Sequence, residues 1–143
     1  MPGKIVQIQS FVDERGSLSV VEEASASCPF NIKRFFSISK CKTGEIRGNH
    51  ANKLSKFLMI ALSGSCKVRV FDTTEACDTF YLSSPTEALF LPEMTWKTMS
   101  DFSSDCVLAV LASEPYDAEE YITEWDEFIG SEKAKTILPK EKN

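Results

Sequence analysis

Histidine is almost absent: His50 is the only one in the 143 residues. A mononuclear metal centre generally takes three or four His or carboxylate ligands, and Glu45 is the only acid close to His50 in the sequence, so a bound catalytic metal is not expected. Cys28, Cys41, Cys66, Cys77 and Cys106 contain no CxxC pair and do not make an even set. That argues against a disulfide framework, and each reads as a small buried hydrophobe. Long apolar runs are missing too. The longest, Cys106 to Ala112, falls far short of the roughly 20 residues of a membrane-spanning helix. Met1 to Ser10 alternates apolar and polar residues and has no apolar stretch before a small-residue cleavage site, so a cytoplasmic location away from membranes is expected. Bases are outnumbered, 16 against 21 acids, for a net charge of −5. Such a balance argues against nucleic acid as a bulk electrostatic partner, which would need a basic face. Glycine is sparse, and neither a Gly-rich phosphate loop nor a Gly-x-Ser-x-Gly elbow occurs. A phosphate would therefore have to be held by side chains, with arginine as the bidentate partner and lysine as a point charge.

What is present is a globular balance of 43% hydrophobic and 26% charged residues in a length suited to one domain. Period-two alternation recurs over Ile5–Phe11, Leu18–Glu22, Ile32–Ser39, Phe57–Leu62, Cys66–Phe71, Thr79–Leu82, Ala88–Leu91 and Cys106–Leu111. In Cys66–Val70 the cysteine and valines share one face, and Lys67 and Arg69 the other. Turn formers such as Ser63-Gly64-Ser65 and Ser83-Ser84-Pro85 separate these runs. The pattern predicts an all-β sandwich or barrel. Only the end differs: Asp117–Tyr121 and Trp125–Ile129 read as short helical turns stopped by Gly130. The expected organisation is one barrel over 1–130 and a charged tail over 131–143. Phe35, Phe36, Phe57, Phe80, Phe90 and Trp96 are expected in the core rather than at an interface.

Thr43 to Lys53 is the most polar stretch between two predicted strands, and it contains His50. In extended geometry Gly48, His50 and Asn52 share a face, with Arg47, Asn49 and Lys53 at the rim or on the other. Two readings remain open here. One is a solvated loop; the other is an imidazole and an amide placed side by side to meet a sugar's hydroxyls or ketone. Bases concentrate in the first half, at Arg15, Lys33, Arg34, Arg47, Lys53 and Lys56, whereas Glu114 to Glu132 holds acids only. A localised anion site is compatible with that asymmetry.

Asp13-Glu14-Arg15-Gly16-Ser17-Leu18, Pro29-Phe30-Asn31-Ile32-Lys33-Arg34 and Arg47-Gly48-Asn49-His50-Ala51-Asn52-Lys53 follow one another in an order and spacing that resembles the dTDP-4-keto-6-deoxyhexose 3,4-ketoisomerases. The match continues through Pro92-Glu93-Met94-Thr95-Trp96 to Tyr121-Ile122 and spans about Val6 to Phe128. The resemblance implies a cupin-type barrel, a double-stranded β-helix or jelly roll, with short C-terminal helical turns. It also implies a homodimer that works without metal or redox cofactor on a thymidine-diphosphate-linked keto sugar, in making deoxysugars for bacterial surface polysaccharides such as O-antigen. By the same resemblance His50 is the catalytic base, with Asn52 and Ser37 orienting substrate or relaying protons. Arg15, Lys33, Arg34, Arg47, Lys53 and Trp96 are expected to hold the nucleotide sugar.

The chain departs from that family in its pocket. Family members usually read His-Ala-His where His50-Ala51-Asn52 stands here, and Asn cannot take up a proton near neutral pH. Phe35-Phe36-Ser37 stands where a tyrosine is common, leaving Ser37 as a shorter hydroxyl. Lys97 follows Trp96 in place of a frequent histidine, and Thr123 replaces an arginine. Two functional readings follow from the resemblance: an isomerase based on His50, or a binding module that has kept nucleotide-sugar affinity and lost proton transfer.

Overall fold

The computed structural model describes residues 2–131. Its strands are β1 (Lys4–Gln7), β2 (Gln9–Asp13), β3 (Gly16–Val20), β4 (Arg34–Ser39), β5 (Arg47–Asn52), β6 (Phe57–Ser63), β7 (Cys66–Phe71), β8 (Cys77–Leu82), β9 (Glu87–Leu91), β10 (Trp96–Ser100), β11 (Val107–Ala112) and β12 (Tyr121–Ile122). One five-stranded sheet has the order β1-β9-β6-β11-β4, a second the order β12-β5-β10-β7-β8, and β2 pairs only with β3. Every pairing is antiparallel. The two sheets make the expected all-β, cupin-type jelly roll.

Alternation decides which side chains meet between the sheets. Phe57, Met59 and Ala61 of β6 and Leu108, Val110 and Ala112 of β11 join Cys66, Val68 and Val70 of β7 in the main core. The intervening residues of β6, Leu58 and Ile60, are buried as well, because the chain around Cys28 and Phe30 covers the outer face of that sheet. The second sheet is covered in turn by the C-terminal segment, where Trp96, Ala51 and Ile122 pack with Phe128 and Trp125. Both sheets are thus apolar on two faces over part of their length, which is why β6 reads as a continuous apolar run.

Several elements differ from the pattern reading. The run Ile5–Phe11 is broken at Ile8, whose N–H donates to the Thr86 carbonyl at 2.8 Å; β1 and β2 therefore belong to different sheets. β10 was not legible as a strand because a lysine occupies one of its inward positions. Residues 118–120 form a 3-10 turn, and a helix runs over 125–131, continuing through Gly130 instead of stopping there. The expected tail lies, from residue 132, outside the described residues. Cys77 is exposed, not buried, at the start of edge strand β8. Phe35 is 60% exposed, because it alternates with the inward Phe36 on edge strand β4.

Candidate active site

β5 lies between β12 and β10, and its irregularity shapes the site. Lys97 pairs with His50 and Thr98 with Gly48, so Asn49 is an extra residue on β5. Gly48 and Asn49 have φ of 88° and 59°. A β-carbon on Gly48 would lie 2.7 Å from the Lys97 carbonyl oxygen, so only glycine fits the backbone at this β-bulge. The consequence is a change of phase. Arg47 pairs with the inward Met99 and His50 with the inward Lys97, so both face the interior although their numbers differ in parity. The sequence reading left Arg47 at the rim or on the other face; the bulge rules out the other face and leaves it exposed at the cavity.

A cavity of about 230 Å³ results, with Arg47, His50, Lys97 and Tyr121 among its walls and Phe36, Phe57 and Met59 as its apolar lining. Nδ1 of His50 lies 3.1 Å from the Gly48 carbonyl oxygen. A carbonyl only accepts, so Nδ1 carries the proton and Nε2 keeps its lone pair. The Tyr121 ring sits 4.8 Å from the imidazole, centroid to centroid. Burial, and then the charge of Lys97, push the His50 imidazole down to about 4. It is a neutral base at physiological pH.

Lys97 is 3% exposed, and its Nζ donates to Oδ1 of Asn52 at 2.8 Å. The ammonium also lies 4.6 Å from the centroid of the Phe57 ring, a cation–π contact. Burial lowers Lys97 to about 7; Glu120 opposes the shift and the Arg34 charge adds to it. Glu120 is anchored in turn by the N–H groups of Leu54 and Ser55, at 2.9 and 2.8 Å, and by the Ser55 hydroxyl. Burial alone would raise the Glu120 carboxyl, but these donors and the nearby Asn52 amide outweigh it and lower it. Among the described residues no group of three or more His, Cys, Asp or Glu side chains is placed to hold a metal.

Of the residues the sequence singled out, His50, Asn52, Arg47 and Arg34 converge here. Arg34 shares the inward parity of Phe36 and Ile38 and packs between the rings of Phe36 and Tyr116, 5.2 and 5.7 Å from their centroids. Its Nε and Nη2 are buried without a hydrogen-bond partner among the described residues. Ser37 belongs to the cavity wall, yet it is exposed and alternates with Phe36 and Ile38, so its hydroxyl is turned from the interior and is no stand-in for a tyrosine. Trp96 is displaced from the expected set for the same reason. Adjacent to the inward Lys97, it points to the opposite face, where it packs against Trp125 and Phe128. Lys33 and Lys53 are exposed and do not line the cavity. Arg15 is at the turn of the β2–β3 hairpin, paired with Asp13 at 2.6 Å, beside a separate shallow hollow.

Comparison with known proteins decides the family. The model described as "FdtA: WxcM-like, C-terminal" matches residues 1–133. The chain belongs to the FdtA, WxcM-like family. It is 40% identical over 128 residues to the TDP-4-oxo-6-deoxy-alpha-D-glucose-3,4-oxoisomerase of Aneurinibacillus thermoaerophilus, covering 90% of this chain and 91% of that one. Among solved structures it resembles WlaRA, a TDP-fucose-3,4-ketoisomerase from Campylobacter jejuni, with a TM-score of 0.86 and 36% identity over 92% of this chain and 96% of the other. It also resembles QdtA, a sugar 3,4-ketoisomerase from Thermoanaerobacterium thermosaccharolyticum solved in complex with TDP. There the TM-score is 0.88 and the identity 32%, covering 95% of this chain and 98% of QdtA.

Two residues of this FdtA-type site were missed as candidates. Tyr121 was visible only as part of the Tyr121-Ile122 motif; its pairing with Asn52 puts it on the His50 face. Lys97 was noted as a departure from the family and not as a site residue. The signal was its position after Trp96: if the tryptophan packs outward, the lysine must face in.

Proposed function

We propose that this chain is a TDP-4-keto-6-deoxyhexose 3,4-ketoisomerase whose carbon base is His50. The observation that carries the reading is the neutral imidazole in the cavity, with Nδ1–H engaged by Gly48 and Nε2 free to accept. A C4 ketone acidifies the proton on C3. His50 removes that proton, an enediolate forms, and the imidazolium returns the proton to C4 as C3 becomes the ketone. The names of the relatives, and the TDP held by QdtA, support a thymidine-diphosphate-linked substrate. Arg47 at the cavity and Arg34 behind it are the guanidinium groups for the diphosphate, and the unpartnered nitrogens of Arg34 are donors awaiting an acceptor.

The working unit is a homodimer in the cytoplasm, supplying deoxysugars for surface polysaccharides. Support for the dimer comes from the hairpin β2–β3, which exposes Phe11, Val12 and Leu18. It is also the arrangement in which Arg15, remote from its own cavity, can serve a nucleotide. No helix among the described residues is long and apolar enough to cross a membrane.

Incubation with TDP-4-keto-6-deoxyglucose in deuterated water tests the reading. An isomerase washes deuterium into the sugar and yields the 3-keto isomer, and His50→Ala abolishes both. Tight TDP binding with an unlabelled sugar would establish the binding module instead.

A further inference from the structure

Lys97 is placed where a lysine is expensive. Its side chain is buried between two sheets, and it forms no ion pair among the described residues. An apolar residue would fill the same space without the several kcal/mol that desolvating an ammonium costs. Among the described residues Nζ donates its one hydrogen bond to Oδ1 of Asn52, whose own side chain is buried, so the amine is aimed by a fixed acceptor. Directly across the strand pair stands His50, the proposed carbon base, and both line the same cavity.

The isomerisation moves two protons, not one. A carbon-bound proton passes from C3 to C4, and an oxygen-bound proton passes from the C3 hydroxyl to the C4 oxygen. His50 accounts for the first transfer only. Resting on the ketoisomerase reading above, we propose that Lys97 is the second catalytic residue and carries the oxygen-bound proton. As His50 takes the C3 proton, the Lys97 ammonium donates a proton to the C4 oxygen, where the negative charge develops. The neutral amine then removes the proton of the C3 hydroxyl while the imidazolium protonates C4. The C3 carbonyl forms, the enediol double bond is consumed, and both side chains end in their starting states. Asn52 is a positioning residue that aims the amine.

Such a carrier must both give and take a proton near neutral pH, which an ordinary lysine does poorly. The groups facing Lys97 set that balance: His50 on β5, Arg34 on β4, Glu120 in the 3-10 turn and Tyr121 on β12. Burial and Arg34 favour the neutral amine, and Glu120 favours the ammonium. The Lys97 value of about 7 leaves both forms accessible.

Substitution separates proton transfer from charge and from packing. Lys97→Arg keeps the cation but cannot release a proton; Lys97→Met keeps the volume and removes both; Lys97→His restores a group that titrates near neutrality. With TDP-4-keto-6-deoxyglucose as substrate, Lys97→Met and Lys97→Arg are expected to lose about 100-fold or more in kcat, the usual size of a general acid–base contribution. TDP affinity should stay within about threefold of wild type in both, and Lys97→His should recover at least tenfold over Lys97→Arg. Should Lys97→Arg or Lys97→Met turn over within about threefold of wild type, Lys97 is not the carrier and the ketoisomerase reading survives. A wild-type protein that neither isomerises this sugar nor exchanges its C3 proton overturns that reading and this one together.

Discussion

Lys97 and His50 are paired across β10 and β5 and line one cavity, where the charge of Lys97 disfavours the proton of the imidazole. Catalysis as proposed needs the imidazole neutral and the amine protonated. The imidazole fails below about 4 and the amine above about 7. The rate profile should therefore be flat through mildly acid pH and decline on the alkaline side near neutrality, as read by kcat between pH 4 and 9. A profile still rising at pH 9 contradicts this assignment.

The same burial makes stability depend on pH. Lys97 titrates near 7 when folded and at an ordinary 10.5 when unfolded, so between those values the unfolded chain holds the extra proton. Stability then rises with pH by at most about 1.4 kcal/mol per unit in that window. Urea midpoints of the wild type and Lys97→Met at pH 7 and pH 9 should show the wild type gaining about 2 kcal/mol on the variant. Parallel pH dependence of the two proteins would mean that the lysine is solvated.

Gly48→Ala probes the bulge. The added methyl meets the Lys97 carbonyl oxygen at 2.7 Å, with backbone that only glycine adopts readily. A loss of about 2–4 kcal/mol is expected in denaturant unfolding. A variant as stable as wild type would show that β5 has another way to turn Arg47 inward.

Arg47→Ala should weaken TDP without unfolding the protein, since the side chain is exposed at the cavity. Loss of one charge-assisted contact predicts a rise in Kd of about tenfold to a hundredfold, equivalent to 1.5–3 kcal/mol. Calorimetric titration measures it directly, and unchanged affinity removes Arg47 from the anion site.

Phe11 and Leu18 are directly paired on the lone hairpin, 54% and 61% exposed. Replacing both by serine should shift the protein from dimer to monomer in sedimentation equilibrium. If the wild type is already monomeric at micromolar concentration, the hairpin has another role.

Much of the scaffold was legible because alternation is a local signal. Cys66, Val68 and Val70 read as an inward face and are one. The site was less legible because its key positions break the pattern. β10 spends an inward place on a charge, and β5 inserts Asn49, which changes which residues share a side. Arg47 was therefore left between the rim and the other face, and Trp96 was assigned to the pocket. Tyr121 is brought to His50 only by pairing across 69 positions of chain (121 minus 52), which no periodicity reveals.

Glu120 ties the strand bearing Tyr121 to the loop that follows Asn52, through two backbone amides and one hydroxyl. β12 itself has only two paired residues, so this single carboxylate is the clasp of the cavity wall. Were it removed, the wall would lose that clasp and Lys97 the one charge that favours its ammonium, tilting the amine toward the neutral form that cannot donate. The enzyme would then be switched off by a residue that need never meet the sugar.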